Sequence, residues 1–143
     1  MSIARILAGR GDSPIHNATV GECVADVVKR LTDLRIGAVP VIDQGKVVGI
    51  FSERDVIHGL ANDGASALER QIGDVMTSPV IGIDPGASAL DALSLMTRRR
   101  IRHLPVIDGE QLVGFVSIGD LVKHRIEVIE NEAAAMRDYI SGA

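Results

Sequence analysis

The sequence predicts an α/β (α+β) protein: two β-α-β-β-α repeats packed as a pseudo-twofold pair, with a long C-terminal helix. The first observation behind this is an internal duplication. Val39-Pro40-Val41-Ile42-Asp43 recurs as Leu104-Pro105-Val106-Ile107-Asp108, and Val48-Gly49-Ile50-Phe51-Ser52-Glu53-Arg54-Asp55 recurs as Val113-Gly114-Phe115-Val116-Ser117-Ile118-Gly119-Asp120. The offset of 65 residues, Pro40 to Pro105, also relates Ser13-Pro14 to Ser78-Pro79, Gly21 to Gly86, Asp26 to Asp91, Thr32 to Thr97, Arg35 to Arg100 and Ile36 to Ile101. One register held across so much of a chain marks a tandem repeat. The second observation is length. At 143 residues the chain accommodates two small halves, neither with enough elements to close a core alone. The third is composition: 46% hydrophobic but only 2% aromatic, which specifies a core of Val, Ile, Leu and Ala.

The elements follow in order. Residues 1–10 form an amino-terminal segment, 11–65 the first repeat, 66–126 the second, and 127–143 an extension of the final helix. In the first repeat Thr19-Val20-Gly21-Glu22 has the form of a capping box. Val24, Val27, Val28, Leu31 and Leu34 then recur at helical spacing, with Cys23 on the same apolar face. In the second repeat Asp84 is placed to cap and Pro85 to take the first helical position, with Ala89, Leu90, Leu93 and Met96 continuing inward. Val39 to Ile42 and Leu104 to Ile107 read as short β-branched strands ending in Asp-Gln-Gly or Asp-Gly turn signals. Lys46–Phe51 and Gln111–Val116 return as their hairpin partners. Asn62-Asp63-Gly64-Ala65-Ser66 reads as a loop between repeats, with Gln71–Met76 leading into the second copy. From Asp120 to Ile140, Leu121, Val122, Ile126, Ile129, Ala133, Met136 and Ile140 mark one side of a single long helix. That apolar stripe calls for packing against a partner subunit or back across the pair.

Composition excludes several functions. The net charge of −4 and scarce aromatics argue against nucleic acid as the main partner, leaving only the cluster Arg98-Arg99-Arg100, Arg102, His103 in its favour. Cys23 is the sole cysteine, so no internal disulfide forms. His16, His58 and His124 have no spacing that makes a metal set, and no activated nucleophile or acid-base pair stands out, so no catalytic role is expected. No apolar run approaches the ~18 residues of a membrane span, and the amino terminus has too short an apolar run for a signal peptide. A cytoplasmic protein is expected.

The chemistry concentrates in the duplicated Ser-x-x-Asp pairs, Ser52/Asp55 and Ser117/Asp120. Such a pair at a helix start is a capping box in its own right. Its carboxylate also keeps lone pairs for hydroxyl donors, and the amides of the helix start favour an anion. Both roles are compatible, since each group has several lone pairs.

The Pro-Val-Ile-Asp strands, Gly49 and Gly114, and the two Ser-x-x-Asp pairs in register together resemble the cystathionine-β-synthase (CBS) domain. The whole chain, over roughly residues 11–126, resembles one CBS pair, or Bateman module, of the stand-alone regulatory kind. The resemblance implies an adenosine-containing ligand in clefts built from both repeats, its ribose diol on the carboxylate of Asp55 or Asp120 and its phosphate by the helix starts at Ser52 and Ser117. Ser117 and Asp120 would be completed by Thr19, Gly37 and Ala38, and Ser52 and Asp55 by Asp84, Arg102 and His103. Arg102 and His103 precede Leu104-Pro105, where family members place phosphate-contacting side chains. Arg54 is a further phosphate candidate. Gly37 and Ala38 hold the matching positions in the first copy, so the cleft of Ser52 and Asp55 is expected to be the more cationic. The motifs do not choose among AMP, ADP, ATP, NAD(H) and S-adenosylmethionine. The family pattern further implies a homodimer that passes ligand state to an unidentified regulated protein; a ligand-free structural dimerisation or protein-interaction module is the alternative.

Overall fold

The structure is a computed structural model, described over residues 2–10 and 14–142. Ser13, which the repeat pairs with Ser78, lies outside the described residues. The elements are α1 (Ile3–Ala8), β1 (Ala18–Thr19), α2 (Val24–Leu34), β2 (Ala38–Asp43), β3 (Lys46–Ser52), α3 (Glu53–Asp63), a 3₁₀ turn (Gly64–Glu69), α4 (Ile72–Val75), α5 (Ala89–Arg99), β4 (His103–Asp108), β5 (Gln111–Ser117) and α6 (Ile118–Gly142).

The 65-residue offset governs the backbone. β2 pairs antiparallel with β3, and β4 with β5, in matching register. Each hairpin carries a register shift at the same place, Val41/Ile42 and Val106/Ile107. α2 and α5 both end on an arginine in the left-handed region, Arg35 at φ 55° and Arg100 at φ 54°. β1 adds a parallel strand through Ala18 and Val41, whereas the second copy retains only the equivalent bridge, Ile83 with Val106. The sheets therefore have three strands and two.

Helix starts are where local sequence signals misplace the structure. Glu22 does accept from the Thr19 amide at 2.8 Å, but α2 begins one turn later with Cys23 as its N-cap. Glu22 is also engaged by Arg30, whose guanidinium reaches the Asn17 carbonyl as well; this clamp holds the turn before α2 and pulls the Glu22 carboxyl below its ordinary range. Cys23 accordingly leaves the apolar face and points its thiol at the Leu68 carbonyl, 3.2 Å away. Asp84 closes a local turn onto the Gly86 amide, and Ser88 with Asp91 supplies the actual capping box of α5. Leu90 lies on the outer side of that helix, 60% exposed. The expected loop at 62–66 is the last turn of α3 running into the 3₁₀ turn.

Packing crosses the boundary between the repeats. Two cores form, one per repeat, aliphatic except for Phe51 in the first, and each is completed by a helix from elsewhere in the chain. Ile3 of α1 is fully buried among Ala92, Met96, Leu104, Val106, Val116 and Leu121 of the second repeat. Ile72 of α4 is fully buried among Ala18, Val24, Val27, Val39, Val41 and Phe51 of the first. The backbone repeats the exchange: Ile3 and Ala4 donate to the carbonyls of Ala87 and Pro85, and Ile72 and Gly73 to those of Glu22 and Val20. Both repeated strand glycines serve it. A Cβ at Gly114 would lie 2.5 Å from Leu7 of α1, and one at Gly49 would lie 2.7 Å from Met76 at the end of α4.

α6 is one continuous helix, about 37 Å long at 1.5 Å per residue. Leu121 is buried in the second core, but Val122, Ile126, Ile129, Met136 and Ile140 are each 45% or more exposed. The apolar stripe does not fold back across the pair.

Candidate functional site

Ser52 ends β3 and Ser117 ends β5, each one residue before a helix. Their placement is fixed by equivalent bonds: the Glu53 amide donates to the Gly37 carbonyl at 3.0 Å, and the Ile118 amide to the Arg102 carbonyl at 2.8 Å. Each Asp then folds back on its Ser. Asp55 Oδ2 accepts from the Ser52 amide at 2.9 Å, and Asp120 Oδ2 accepts from the Ser117 amide at 2.8 Å. The Asp120 amide donates to Ser117 Oγ at 3.1 Å. The capping role is thus filled in the chain itself. It also thins the amide cradle expected for phosphate, because two amides at the start of α6 are already engaged.

Two clefts open at the junction of the repeats. The larger, about 480 Å³, has Gly37 and Ala38 on one side and Ser117 and Asp120 on the other, with Leu7, Ile15, Ile36 and Phe115 as apolar wall. The smaller, about 360 Å³, brings Ser52 and Arg54 together with Arg102 and His103, walled by Ile50, Ile57, Ile81 and Ile101. Both volumes suit a small organic ligand. Of the residues assigned from sequence, Thr19 and Asp84 do not line either cleft; Asp84 is committed to its own turn. Asp55 does not line the smaller cleft, but its Oδ1 accepts from the hydroxyl of Thr77, a lining residue, at 2.7 Å. Arg54 directs Nη1 to the Arg100 carbonyl at 3.1 Å, so it caps the end of α5 across the repeat junction.

His103 lines both clefts, as does Gly37. A Cβ at Gly37 would lie 3.5 Å from the His103 ring, so the two residues form the partition between the cavities. The His103 ring stacks on Phe115 at 5.6 Å between centroids. Burial pushes its pKa below the ordinary histidine range; Asp120 and Glu53 pull the other way without reversing the shift. A buried ring of this kind holds a proton less readily than an exposed histidine.

Sequence reasoning missed two residues. Arg10 places Nη2 2.5 Å from Asp120 Oδ2 and Nη1 2.8 Å from the Phe115 carbonyl. Thr77 does the corresponding work in the other half, with its amide on the Ile50 carbonyl at 2.8 Å and its hydroxyl on Asp55. Each stands one residue beyond the C-cap of an exchanged helix, Gly9 for α1 and Met76 for α4. Burial raises the Asp120 pKa, but the Ser117 amide and hydroxyl and the Arg10 guanidinium outweigh it and hold the carboxyl below its usual range. Arg10 and Arg35 also correct the expected charge imbalance. Among the described residues, the larger cleft carries these two guanidiniums beside Asp120, and the smaller carries Arg54 and Arg102 beside Glu53.

The CBS domain family matches residues 24–62 and 72–127 of the chain. The mitochondrial CBS domain-containing protein CBSX3 of Arabidopsis thaliana is 36% identical over 149 aligned positions, spanning 99% of this chain and 72% of the relative. A CBS-domain-containing protein of Agrobacterium tumefaciens superposes with a TM-score of 0.81 at 32% identity, covering 87% of this chain and 92% of that one. The CBS domain pair of protein MJ0100, solved in complex with 5′-methylthioadenosine and S-adenosyl-L-methionine, superposes with a TM-score of 0.75 at 25% identity over 86% of this chain and 94% of that one. The chain belongs to the CBS-domain family and forms a CBS pair.

Proposed function

We propose that this CBS pair is a regulatory sensor of an adenosine-containing ligand, with Asp120 as the ribose acceptor of the larger cleft. The observation that carries the reading is the meeting of Gly37 and Ala38 from one repeat with Ser117 and Asp120 from the other around one cavity. A carboxylate already deprotonated, partly exposed and fixed by the Ser117 amide is a ready acceptor for a diol. Apolar walls beside it suit a flat base. The adenosyl ligands of the MJ0100 pair support the same chemical class.

Signal transmission follows from where the acceptor sits. Asp120 is in the first turn of α6, and beyond that turn the helix presents an uncovered apolar stripe. A ligand bridging the repeats at Asp120 would bias the direction of the whole lever. Coupling of this kind typically amounts to about 1–3 kcal/mol. We assign the stripe to a second copy in a homodimer, and the output to a regulated protein contacting that dimer. This is binding rather than catalytic chemistry. We read its compartment as cytoplasmic; the Arabidopsis relative is mitochondrial by name. Among the described residues no helix is long and apolar enough to cross a membrane.

The exposed stripe also favours a second reading, a structural dimerisation module that binds no ligand. Calorimetric titration with AMP, ATP, NADH, S-adenosylmethionine and the 2′,3′-dideoxy forms separates the two. Sensing requires at least one ligand to bind and its dideoxy form to lose roughly tenfold or more in affinity, the consequence of about 1.5–3 kcal/mol in charge-assisted bonds. Absence of binding throughout would leave the structural module. Equal affinity with and without the diol would remove Asp120 from the ribose role.

A further inference from the structure

The partners of the two Asp residues differ in a way that bears on ligand choice. Asp55 is held by Thr77, a neutral residue whose backbone is tied to Ile50 by two hydrogen bonds, 2.8 and 3.0 Å long. That contact is tied into the fold. Asp120 is held by Arg10, whose guanidinium is at the end of a long side chain, and both members of the pair are about a third exposed, 33% and 40%. Exposed ion pairs of this kind are weakly held. Asp120 itself stays in place if Arg10 leaves, because the Ser117 amide fixes the same oxygen. The bond from Nη1 to Phe115 keeps the guanidinium on the wall of that cleft.

We infer that Arg10 is a specificity-determining residue of the larger cleft: it competes with the ribose for Asp120 and repays the exchange only when the ligand carries a phosphate. This rests on Asp120 being the ribose acceptor. An uncharged nucleoside brings its hydroxyls to a carboxylate already shared with a cation and brings that cation no anion. A 5′-phosphorylated adenosine offers a doubly charged oxygen cluster, to which an arginine fork is well matched. Phosphate discrimination therefore belongs to the cleft of Ser117 and Asp120, whereas the tandem motif alone points to the cleft of Ser52 and Asp55.

The experiment titrates AMP and adenosine into wild type, Arg10→Ala and Arg10→Gln, following the amide resonances of Gly114, Phe115 and Gly119 so that this cleft is read separately. In wild type AMP binds more tightly than adenosine, and its affinity falls with salt. In both variants AMP affinity falls about tenfold or more, adenosine affinity is unchanged or rises, and the salt dependence flattens. Arg10→Gln keeps a donor for the Phe115 carbonyl without the charge, so wild-type behaviour in that variant would overturn the inference. So would equal losses for both ligands in either folded variant. If wild type binds AMP and adenosine with an unchanged ratio in the variants, Arg10 alone has been misassigned. If wild type binds neither, the ribose reading fails first and takes this inference with it.

Discussion

Truncating Ile3 tests the exchange of helices between the repeats. Ile3 is in the first helix, outside the repeated sequence, where a single substitution on a frayed terminus would ordinarily cost nothing. Here its side chain has no exposure and is enclosed by Met96, Leu104, Val106 and Leu121. Ile3→Ala removes three carbon groups at about 0.8 kcal/mol each, and the cavity left behind adds to that, for a total of about 3–4 kcal/mol. Against a total stability of about 5–15 kcal/mol for a domain, that is a large share. A thermal midpoint lower by roughly 10 °C follows for a chain of this size. The assay is urea unfolding at fixed protein concentration, with the midpoint shifting and the slope unchanged. Ile72→Ala should match it, since Ile72 fills the equivalent place in the other core. Leu90→Ala, at a position 60% exposed on α5, should stay within about 0.5 kcal/mol. If Ile3→Ala behaves like Leu90→Ala, the first helix is not a structural member of the second core.

Two further outcomes can be measured on the same protein. His103 has a pKa lowered mainly by burial, so the folded state disfavours its protonation. Its contribution is fully present above the unfolded value of about 6.5 and is lost as pH falls through the folded value. His103→Gln should flatten stability across that acidic window; an unchanged pH profile would mean that another group governs it. The second outcome concerns α6. Light scattering at micromolar concentration should give twice the monomer mass, and Ile129→Glu, on the exposed stripe, should shift the protein to monomer with little change in far-ultraviolet circular dichroism. A wild-type monomer at high concentration would refute the assignment of that stripe to a second copy.

What the sequence makes legible is what local periodicity and the 65-residue register carry. Hairpins, the two central helices, the long α6 and the Ser/Asp pairs all depend on residues close together in the chain, so spacing alone places them. Helix starts are less legible because Thr19–Glu22 satisfies a capping pattern while the backbone is still turning, and only the packed turn with Arg30 shows where α2 begins. Least legible are contacts made across the exchange. Arg10 meets Phe115 over 105 residues, and nothing in the local composition of the amino-terminal segment marks it as a cleft residue. Thr77 is equally unmarked. Yet these two residues occupy corresponding places after α1 and α4, and there the chemistry of the copies differs: a cation on one Asp and a hydroxyl on the other. The strands and the Ser-x-x-Asp pairs repeat because both halves need the same fold and the same helix start. The clefts therefore differ at positions the copies do not share: Arg10 and Thr77 after the exchanged helices, and Gly37-Ala38 against Arg102-His103 before the strands.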